Sequence, residues 1–465
     1  MEKSIFKAYD IRGLYPAEIN EETAYAIGRA LVVHTKARKV VVGWDMRVSS
    51  PGISEKLIQG ITDQGGNVIK IGLATTPMAY FASWKLEGVE AGVIVTASHN
   101  PAEYNGMKFC LRNAIPIGEG SGMEEIRDLA LGSLPLEKGE LERDSKNENN
   151  SQIPLSPPLK KGEIIEDESI KQTYYDYIAG FYKGGKKRKV VIDFANGMGI
   201  LDKPIFEKIS SEIESVYMYD ELDGNFPNHE ANPLKTETLE ALQKRVAEEQ
   251  ADLGIAYDGD ADRVGFVDEK GEIIPMDFMI AILAKEVLKK YPGGLVLMDL
   301  RSSNAVKEVI EEAGGRVNRC RVGHSLIKKQ MREEGAIFAG ELSGHYFFEG
   351  NSKAEMTTLA VLCFLNLLNE TGKTASELVK DLKKYFHSGE INSEVADKEA
   401  VFQKLKEKYA AGQLDERDGV RIDFPDWWFN VRASNTEPKM RLNLEAKTQE
   451  LMEEKKNELL NIIRK

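Results

Sequence analysis

Three aspartates alternate along one short segment of the chain, at Asp258, Asp260 and Asp262, and Arg263 follows them directly. In a tight loop, three such carboxylates can converge on one hard cation through oxygen ligands. The same residues, with Glu269, match four positions of a calcium-binding EF-hand loop. However, Arg263 stands where that loop needs glycine, and both flanks have the pattern of strands. We therefore expect a divalent-cation site, with Mg²⁺ as its ion, rather than an acidic surface turn.

Ser98 follows the apolar run at residues 92–95 and opens a polar loop that Pro101 closes. A serine in such a loop is often only a turn or cap residue. A hydrolase triad is poorly supported, because the Gly-x-Ser-x-Gly context is missing and His99 is the immediate neighbour. A serine hydroxyl that faces a Mg²⁺ site can instead carry a phosphoryl group. Lys108 is then either the acid and base for a sugar hydroxyl or a solvated side chain.

A glycine-bounded loop after residues 336–339 carries Glu341 and Ser343, one residue apart. Their side chains can point to the same side, which suits two neighbouring hydroxyls of a sugar ring. A polar turn with an ordinary hydrogen bond fits the same pattern equally well. His345 in this loop, and His324 before it, are candidate binding or proton-transfer groups, or structural histidines.

Arg432, Ser434, Asn435 and Thr436 combine a guanidinium with hydroxyls and backbone amides in one short loop. These groups suit a phosphate that does not react. A phosphoryl-transfer centre, a reader of sugar hydroxyls and a separate phosphate anchor can together position a sugar phosphate for transfer at its other end. Because the chain has no Gly-x-x-x-x-Gly-Lys-Ser/Thr loop for a nucleotide, these features favour a mutase over a kinase.

The elements that must position these residues are short β-branched runs alternating with helical patterns. The predicted strands lie at residues 39–42, 67–71, 92–95, 189–192, 252–256 and 294–298. Such alternation predicts α/β units with largely parallel sheets, which bind ligands at the ends of their strands, and its recurrence suggests related domains in tandem. The last part looks strand-rich, with predicted strands at residues 420–424, 428–432 and 440–442 and a closing helix over 450–464. We therefore expect a smaller α+β domain there.

Residues 142–167 are rich in asparagine and proline and lack periodicity, so we read them as an exposed linker or insertion. A length of 465 residues is too great for one core and favours three or four domains. We place four domains at residues 1–168, 169–272, 273–384 and 385–465.

The composition is that of an ordinary globular protein, with 42% hydrophobic and 29% charged residues. The net charge of −13 argues against nucleic acid as the main partner. The amino terminus has no apolar signal segment, and the longest apolar run, near residues 359–368, is too short to span a bilayer. Cys110, Cys320 and Cys363 are few and far apart, which fits a reducing compartment. We expect a cytoplasmic protein without a membrane or nucleic-acid partner.

The ordered motifs closely resemble those of the α-D-phosphohexomutase superfamily, and within it the bacterial and archaeal phosphomannomutase/phosphoglucomutase group. The matching segments span the chain: Tyr9-Asp10-Ile11-Arg12-Gly13, then residues 96–101, 258–263, 340–345 and 432–438. The resemblance implies three similar α/β domains around a central cleft and a smaller C-terminal α+β domain.

By matching position, the resemblance implies that Ser98 is the phosphoserine and that Asp258, Asp260 and Asp262 bind Mg²⁺ together with its phosphate. Phosphoserine gives its phosphoryl group to the substrate, the bisphosphorylated sugar reorients, and its other phosphate returns to Ser98. Glucose 1,6-bisphosphate is then the expected activator and intermediate, and no net phosphate is consumed.

The same resemblance assigns the other site residues. Those that line the reaction centre are Arg12, Lys108, Arg263 and His324. Those that bind substrate are Glu341, Ser343, His345, Arg432, Ser434, Asn435 and Thr436. Among them, Glu341 and Ser343 are expected to hold the 3- and 4-hydroxyls of the sugar, and the loop after Arg432 is expected to hold the distal phosphate.

Two positions depart from the family pattern: Arg301 stands where many relatives have lysine, and residues 354–356 read Ala-Glu-Met where Asp-Asp-Gly is common. Because of these departures, we do not carry over the family's pattern for the residues that support His345 or for those that select the sugar. Ser-Asn-Thr at 434–436 is the pattern of the phosphomannomutase/phosphoglucomutase group, whereas phosphoglucosamine mutases commonly show Ser-Gly-Thr. The alternatives are a phosphoglucosamine mutase, a Mg²⁺-dependent sugar phosphatase and a non-catalytic sugar-phosphate-binding protein. We expect small sugar phosphates as ligands, and a monomer or homodimer.

Overall fold

The computed structural model describes residues 1–132, 161–433 and 439–464, which form four β-sheets flanked by helices. Most of the predicted linker at 142–167 lies outside the described residues, as do three candidate phosphate-binding residues. These three are Ser434, Asn435 and Thr436.

The first sheet, within residues 11–132 and 161–166, has seven strands. They are β1 (Ile11–Leu14), β2 (Lys39–Trp44), β3 (Asn67–Leu73), β4 (Ala91–Val95), β5 (Tyr104–Leu111), β6 (Ile115–Ile117) and β7 (Ile164–Glu166). The helices are α1 (Glu21–Thr35), α2 (Ser50–Asp63), α3 (Thr76–Lys85) and α4 (Met123–Ala130). The prediction of a linker over 142–167 was wrong for residues 164–166, which pair with β3 as an edge strand. All three are exposed, so no apolar alternation marks them as a strand.

The second sheet, within residues 188–274, contains β8 (Arg188–Asp193), β9 (Ile213–Met218), β10 (Leu253–Tyr257), β11 (Val264–Asp268) and β12 (Ile273–Ile274). Its helices are α5 (Ser169–Ala179), α6 (Lys203–Lys208) and α7 (Glu240–Glu249). The third sheet contains β13 (Leu295–Asp299), β14 (Arg316–Cys320), β15 (Phe338–Gly340), β16 (Tyr346–Phe348) and β17 (Ala354–Glu355). Its helices are α8 (Met276–Lys290), α9 (Asn304–Glu312), α10 (His324–Glu334), α11 (Thr357–Thr371) and α12 (Ala375–Lys380).

These three sheets repeat one arrangement. Three parallel strands lie in the order β3-β2-β4, β9-β8-β10 or β14-β13-β15, and the last strand of each set pairs with an antiparallel neighbour. The loops to that neighbour are the serine loop (96–103), the aspartate loop (258–263) and the glutamate loop (341–345). The predicted tandem α/β units are thus confirmed, and their functional loops occupy equivalent positions.

The described part of residues 386–463 forms a smaller α+β domain, as predicted. Its antiparallel strands are β18 (Phe386–His387), β19 (Ile391–Glu394), β20 (Gln413–Asp415), β21 (Val420–Asp423), β22 (Trp427–Ala433) and β23 (Lys439–Ala446). Two helices cover it: α13 (Lys398–Lys408) and α14 (Gln449–Ile463). Thr448 begins α14 by accepting a hydrogen bond from the Leu451 N–H.

One apolar core runs through the first three domains and joins Phe81 of α3, Tyr174 of α5 and Phe364 of α11. The C-terminal domain has its own core around Phe429 and meets the third domain through polar contacts, such as the Arg319–Asp423 pair at 2.9 Å. The first three loops are therefore held on one packed body. Across the described ranges, no helix is both long and apolar enough to cross a membrane.

Candidate active site

Ser98 lies in the serine loop and is almost fully buried. Its backbone is left-handed, with φ of 52°, and its N–H donates to Thr96 Oγ1 at 2.9 Å. Its hydroxyl donates to Asp258 Oδ2 at 3.0 Å. The expected nucleophile of the first domain therefore faces the aspartate loop of the second domain.

The aspartate loop brings three fully buried carboxylates together, and one oxygen of each of Asp258, Asp260 and Asp262 lies within 4.8 Å of the others. Asp260 Oδ1 has no hydrogen-bond partner among the described residues. Burial and the charges of Asp262 and Asp260 raise the pKa of Asp258 well above its usual value. Converging, incompletely satisfied oxygen ligands fit a hard divalent cation, so the residues present are suited to binding a metal ion.

Lys108 enters this cluster from β5 of the first domain. Its Nζ lies 2.7 Å from Asp260 Oδ2 and 2.5 Å from Asp262 Oδ2. Burial alone would lower the pKa of Lys108, but the charges of Asp260 and Asp262 outweigh it and raise the pKa above its usual value. Lys108 is therefore a charged ammonium in this arrangement, and its proton is held between two carboxylates.

Two arginines place positive charge beside the serine loop. Arg12 on β1 donates to Asn100 Oδ1 at 2.7 Å, and Arg263 Nε lies 3.7 Å from Asp258 Oδ2. Burial, together with the charges of Arg263 and Arg12, lowers the pKa of His99 well below its usual value. His99 is therefore neutral, and the arginines supply the positive charge that suits an anionic group here.

The glutamate loop meets the aspartate loop through His345. Its Nδ1 lies 2.9 Å from Glu341 Oε2 and 2.7 Å from Ser343 Oγ, and its Nε2 lies 3.4 Å from Asp262 Oδ1. Burial alone would lower the pKa of His345, but Asp262 and Glu341 raise it to about 9. Burial alone would raise the pKa of Glu341, but His345 lowers it below its usual range. A charged His345 therefore orients an ionised Glu341.

Glu355, in one of the departures from the family pattern, lies beside His324, and His345 of the glutamate loop also acts on its charge. Both its oxygens accept from Lys328 Nζ at 3.0 Å, and Oε1 lies 3.4 Å from His324 Nδ1. Burial alone would raise the pKa of Glu355, but Lys328 and His324 lower it to about 2. Lys328 also lies 4.0 Å from the centre of the Tyr80 ring, which belongs to the first domain.

Three arginines surround Glu390, two from the C-terminal domain and one from the third domain. The Glu390 carboxylate lies 3.4 Å from both Arg432 and Arg441 and 3.5 Å from Arg301. Arg301, the other departure, also pairs with Asp299 at 2.5 Å. Asp299 in turn accepts a hydrogen bond from the backbone of the glutamate loop at 3.2 Å. Arg432 and Arg301 are thus linked through one carboxylate.

Two residues outside the sequence-predicted set contact the site. Thr76, at the start of α3, donates from its hydroxyl to Asp260 Oδ2 at 2.6 Å. Arg47, after β2, donates to the Ser98 carbonyl at 2.8 Å. The only sequence signal at Thr76 is Thr-Thr-Pro, which is typical of a helix start. Arg47 follows a predicted strand, so its place at a strand end was the available signal.

The repeated α/β domains, with a buried serine facing a triple-aspartate loop, define the class of α-D-phosphohexomutases, which are phosphoryl-transferring isomerases. Four family descriptions match the chain in order: Phosphoglucomutase/phosphomannomutase alpha/beta/alpha domain I at residues 3–132, domain II at 172–271, domain III at 275–385 and the C-terminal domain at 390–462. The chain therefore belongs to the phosphoglucomutase/phosphomannomutase family.

Individual relatives agree with this membership. A phosphomannomutase of Methanocaldococcus jannaschii is 40% identical over 99% of this chain and 98% of its own length. A phosphomannomutase/phosphoglucomutase of Pseudomonas syringae pv. tomato is 37% identical over 97% of this chain and 93% of its own. The crystal structure of a Burkholderia thailandensis protein of the same family superposes with a TM-score of 0.87, at 29% identity and covering 99% of this chain and 97% of the other.

Proposed function

We propose that this chain interconverts the 1-phosphates and 6-phosphates of mannose and glucose through a phosphoserine and a bisphosphorylated sugar. The observation that carries the proposal is the 3.0 Å hydrogen bond from Ser98 Oγ to Asp258 Oδ2, which sets a nucleophile against a cation site. Relatives named phosphomannomutase and phosphomannomutase/phosphoglucomutase support the same activity.

In the proposed cycle, the bond between phosphorus and Ser98 Oγ breaks as a bond forms from phosphorus to a free hydroxyl of the sugar phosphate. Lys108, a charged ammonium between two carboxylates, gives one proton to Ser98 Oγ and takes up the proton that the sugar hydroxyl loses. The bisphosphorylated sugar then reorients in the site, and the reverse step returns its other phosphoryl group to Ser98. Glucose 1,6-bisphosphate is such a sugar and would prime the cycle.

Asp258, Asp260 and Asp262, together with the phosphate on Ser98, would hold Mg²⁺. When bound there, this ion neutralises negative charge on the transferring phosphoryl group. Arg12 and Arg263 add positive charge beside the same group, and Thr76 fixes the Asp260 carboxylate through its hydroxyl.

Glu341 and Ser343 would hold the 3- and 4-hydroxyls of the sugar, since His345 fixes the orientation of both side chains. Glucose and mannose differ at C2, so a loop that reads C3 and C4 accepts either sugar. The Arg432 guanidinium, with the hydroxyls of Ser434 and Thr436 and the Asn435 amide, would hold the distal phosphate.

The test is steady-state conversion of mannose 1-phosphate and of glucose 1-phosphate to the 6-phosphates, with Mg²⁺ and a trace of glucose 1,6-bisphosphate. Comparable rates on both sugars would support the proposal. If only glucosamine phosphates were converted, the enzyme would be a phosphoglucosamine mutase. If one phosphate were released per sugar consumed, it would be a phosphatase and not a mutase. Binding without either reaction would leave only a sugar-phosphate-binding protein.

The proposal also covers the cellular compartment, the assembly and the ligands of the protein. The cysteines Cys110, Cys320 and Cys363 are all free and buried, which supports a reducing, cytoplasmic setting. The assembly that we propose is a monomer or a homodimer. The ligands are small sugar phosphates, and the net charge of −13 does not favour nucleic acid.

A further inference from the structure

Arg47 is a fully buried arginine whose guanidinium is directed at the backbone of the serine loop and the residue after it. Its NH2 group donates to the carbonyls of Ser98 at 2.8 Å and Asn100 at 2.6 Å. Its NH1 group donates to the carbonyls of Pro101 at 2.6 Å and Tyr104 at 3.1 Å. One side chain therefore fixes four backbone carbonyls around the expected phosphoserine.

The fifth N–H of the guanidinium fixes the direction of the other four. Arg47 Nε donates to Asp45 Oδ2 at 3.1 Å, and Asp45 Oδ1 accepts from the Arg47 backbone N–H at 3.0 Å. Asp45 Oδ1 also accepts from Ser50 Oγ at 2.5 Å at the start of α2. Only a planar fork with five donors makes this set of contacts; a lysine has three donors on a single nitrogen.

The second domain packs over Arg47. The ring centre of Phe226 lies 5.2 Å from the guanidinium carbon. A Cβ placed on Gly224 would come within 2.7 Å of Arg47 Cα, and one on Gly259 would come within 2.4 Å of the Ser98 carbonyl oxygen. The backbone of the second domain therefore lies against Arg47 at Gly224 and against the Ser98 carbonyl at Gly259. Only glycine fits at these two positions.

Ser98 needs such support. Its φ of 52° is unfavourable for a residue with a side chain, so the conformation persists only where neighbouring groups stabilise it. In this conformation Ser98 Oγ donates to Asp258. A shift of about 1 Å in a reacting group can cost about 100-fold in rate, so the backbone position bears directly on turnover.

We propose that Arg47 is a positioning residue for phosphoryl transfer: it holds the serine loop so that Ser98 Oγ faces Asp258, and Phe226 makes this hold depend on the docked second domain. The catalytic part of this proposal rests on the proposed function. The loop-holding part does not, because it concerns backbone order alone. If Arg47 only stabilised the fold, its replacement would lower the unfolding temperature. It would change neither kcat nor, selectively, the order of the serine loop.

The experiment compares Arg47→Lys with Arg188→Lys. Arg188 is also buried, pairs with Asp252 at 2.8 Å and donates to the Leu368 carbonyl at 2.8 Å, so its replacement disturbs a comparable network outside the serine loop. Backbone amide hydrogen exchange over residues 96–105 is measured by mass spectrometry on both full-length variants. kcat and KM are then measured for conversion of glucose 1-phosphate.

In Arg47→Lys we expect exchange over 96–105 to be at least about tenfold faster, kcat to fall at least about tenfold and KM to stay within about threefold. In Arg188→Lys all three should stay near the values of the original chain. Unchanged exchange over 96–105 in a folded Arg47→Lys protein would overturn the loop-holding part. Faster exchange with kcat within twofold would overturn the catalytic part.

A second variant, Phe226→Leu, keeps the proposal falsifiable if Arg47→Lys does not fold. It leaves the guanidinium in place and removes only the ring that covers it, so we expect smaller changes in the same direction in both readouts. Exchange and kcat both equal to those of the original chain would overturn the dependence on Phe226. If the chain proves to have no mutase activity, the exchange experiment still decides whether Arg47 holds the loop.

Discussion

Lys108 of the first domain lies 2.5 Å from Asp262 Oδ2 of the second domain, and both side chains are buried. Because Asp262 also belongs to the carboxylate cluster, a cation that binds there must share this oxygen-rich site with the ammonium. The proposed acid–base group and the proposed metal site are therefore coupled electrostatically, and a change in one alters the other.

Lys108→Met tests this coupling. We expect turnover to fall by about 100-fold or more because the acid–base group is lost. Mn²⁺ should bind more tightly, because the ammonium no longer competes with the cation for oxygens of Asp260 and Asp262. Steady-state kinetics and calorimetric titration with Mn²⁺ measure the two effects. Lys56→Met, at an exposed position of α2, is the control; weaker Mn²⁺ binding in Lys108→Met would contradict the coupling.

Ser98→Ala removes one hydroxyl from a buried loop and leaves Asp258 without that donor. We expect turnover to fall by about 1,000-fold or more, since the nucleophile is lost, with little change in the unfolding temperature. Kinetics, thermal unfolding and the intact mass after incubation with glucose 1,6-bisphosphate give the readouts. Ser54→Ala, at another buried serine of the first domain, should still take up one phosphoryl group. Near-normal turnover in Ser98→Ala would exclude the phosphoserine mechanism.

Glu355→Gln leaves the Lys328 charge buried without its ionic partner. Breaking a buried pair in this way costs about 3–5 kcal/mol, so we expect a clearly lower unfolding temperature. We also expect a lower kcat, because His324 loses the carboxylate beside its Nδ1. Adding Lys328→Met to Glu355→Gln should restore the unfolding temperature but not kcat. Recovery of kcat in the double variant would show that Glu355 acts only through stability.

Much of the candidate site could be predicted from the sequence because its residues stand in short, contiguous motifs. Ser98, for example, lies three residues after the end of β4, and the predicted strand at 92–95 corresponds to Ala91–Val95. The predicted strand at 39–42 was likewise short by only the last two residues of β2, Lys39–Trp44. β-branched runs mark buried parallel strands clearly, because both faces of such strands are covered.

The contacts between domains could not be predicted from the sequence. Thr76 and Asp260 are far apart in the chain, and no pattern in one sequence shows that α3 meets the aspartate loop. The same holds for Arg47 and Phe226, whose meeting depends on how two domains pack. The exposed edge strand at 164–166 was missed for another reason: it buries nothing, so hydrophobic alternation is absent.

Asp202 gives a pH-dependent prediction away from the reaction centre. It is fully buried between the second and third domains, accepts a hydrogen bond from Thr358 Oγ1, and its Oδ1 has no hydrogen-bond partner among the described residues. Burial raises its pKa from 3.8 to about 7. The folded protein therefore binds a proton that the unfolded chain releases. As a result, the contribution of Asp202 to stability falls as pH rises from about 4 to about 7 and stays low above that.

Asp202→Asn mimics the protonated carboxyl and removes this dependence. We expect it to raise the unfolding temperature at pH 8 by at least about 2 °C and to leave it unchanged near pH 4, since one unit of pKa corresponds to about 1.4 kcal/mol. Thermal unfolding at a series of pH values measures the difference between the variant and the original chain. Asp381→Asn, at an exposed side chain, should show no such pH-dependent gain. A gain of equal size at pH 4 and pH 8 would mean that the amide acts through packing or hydrogen bonding and not through the charge of Asp202.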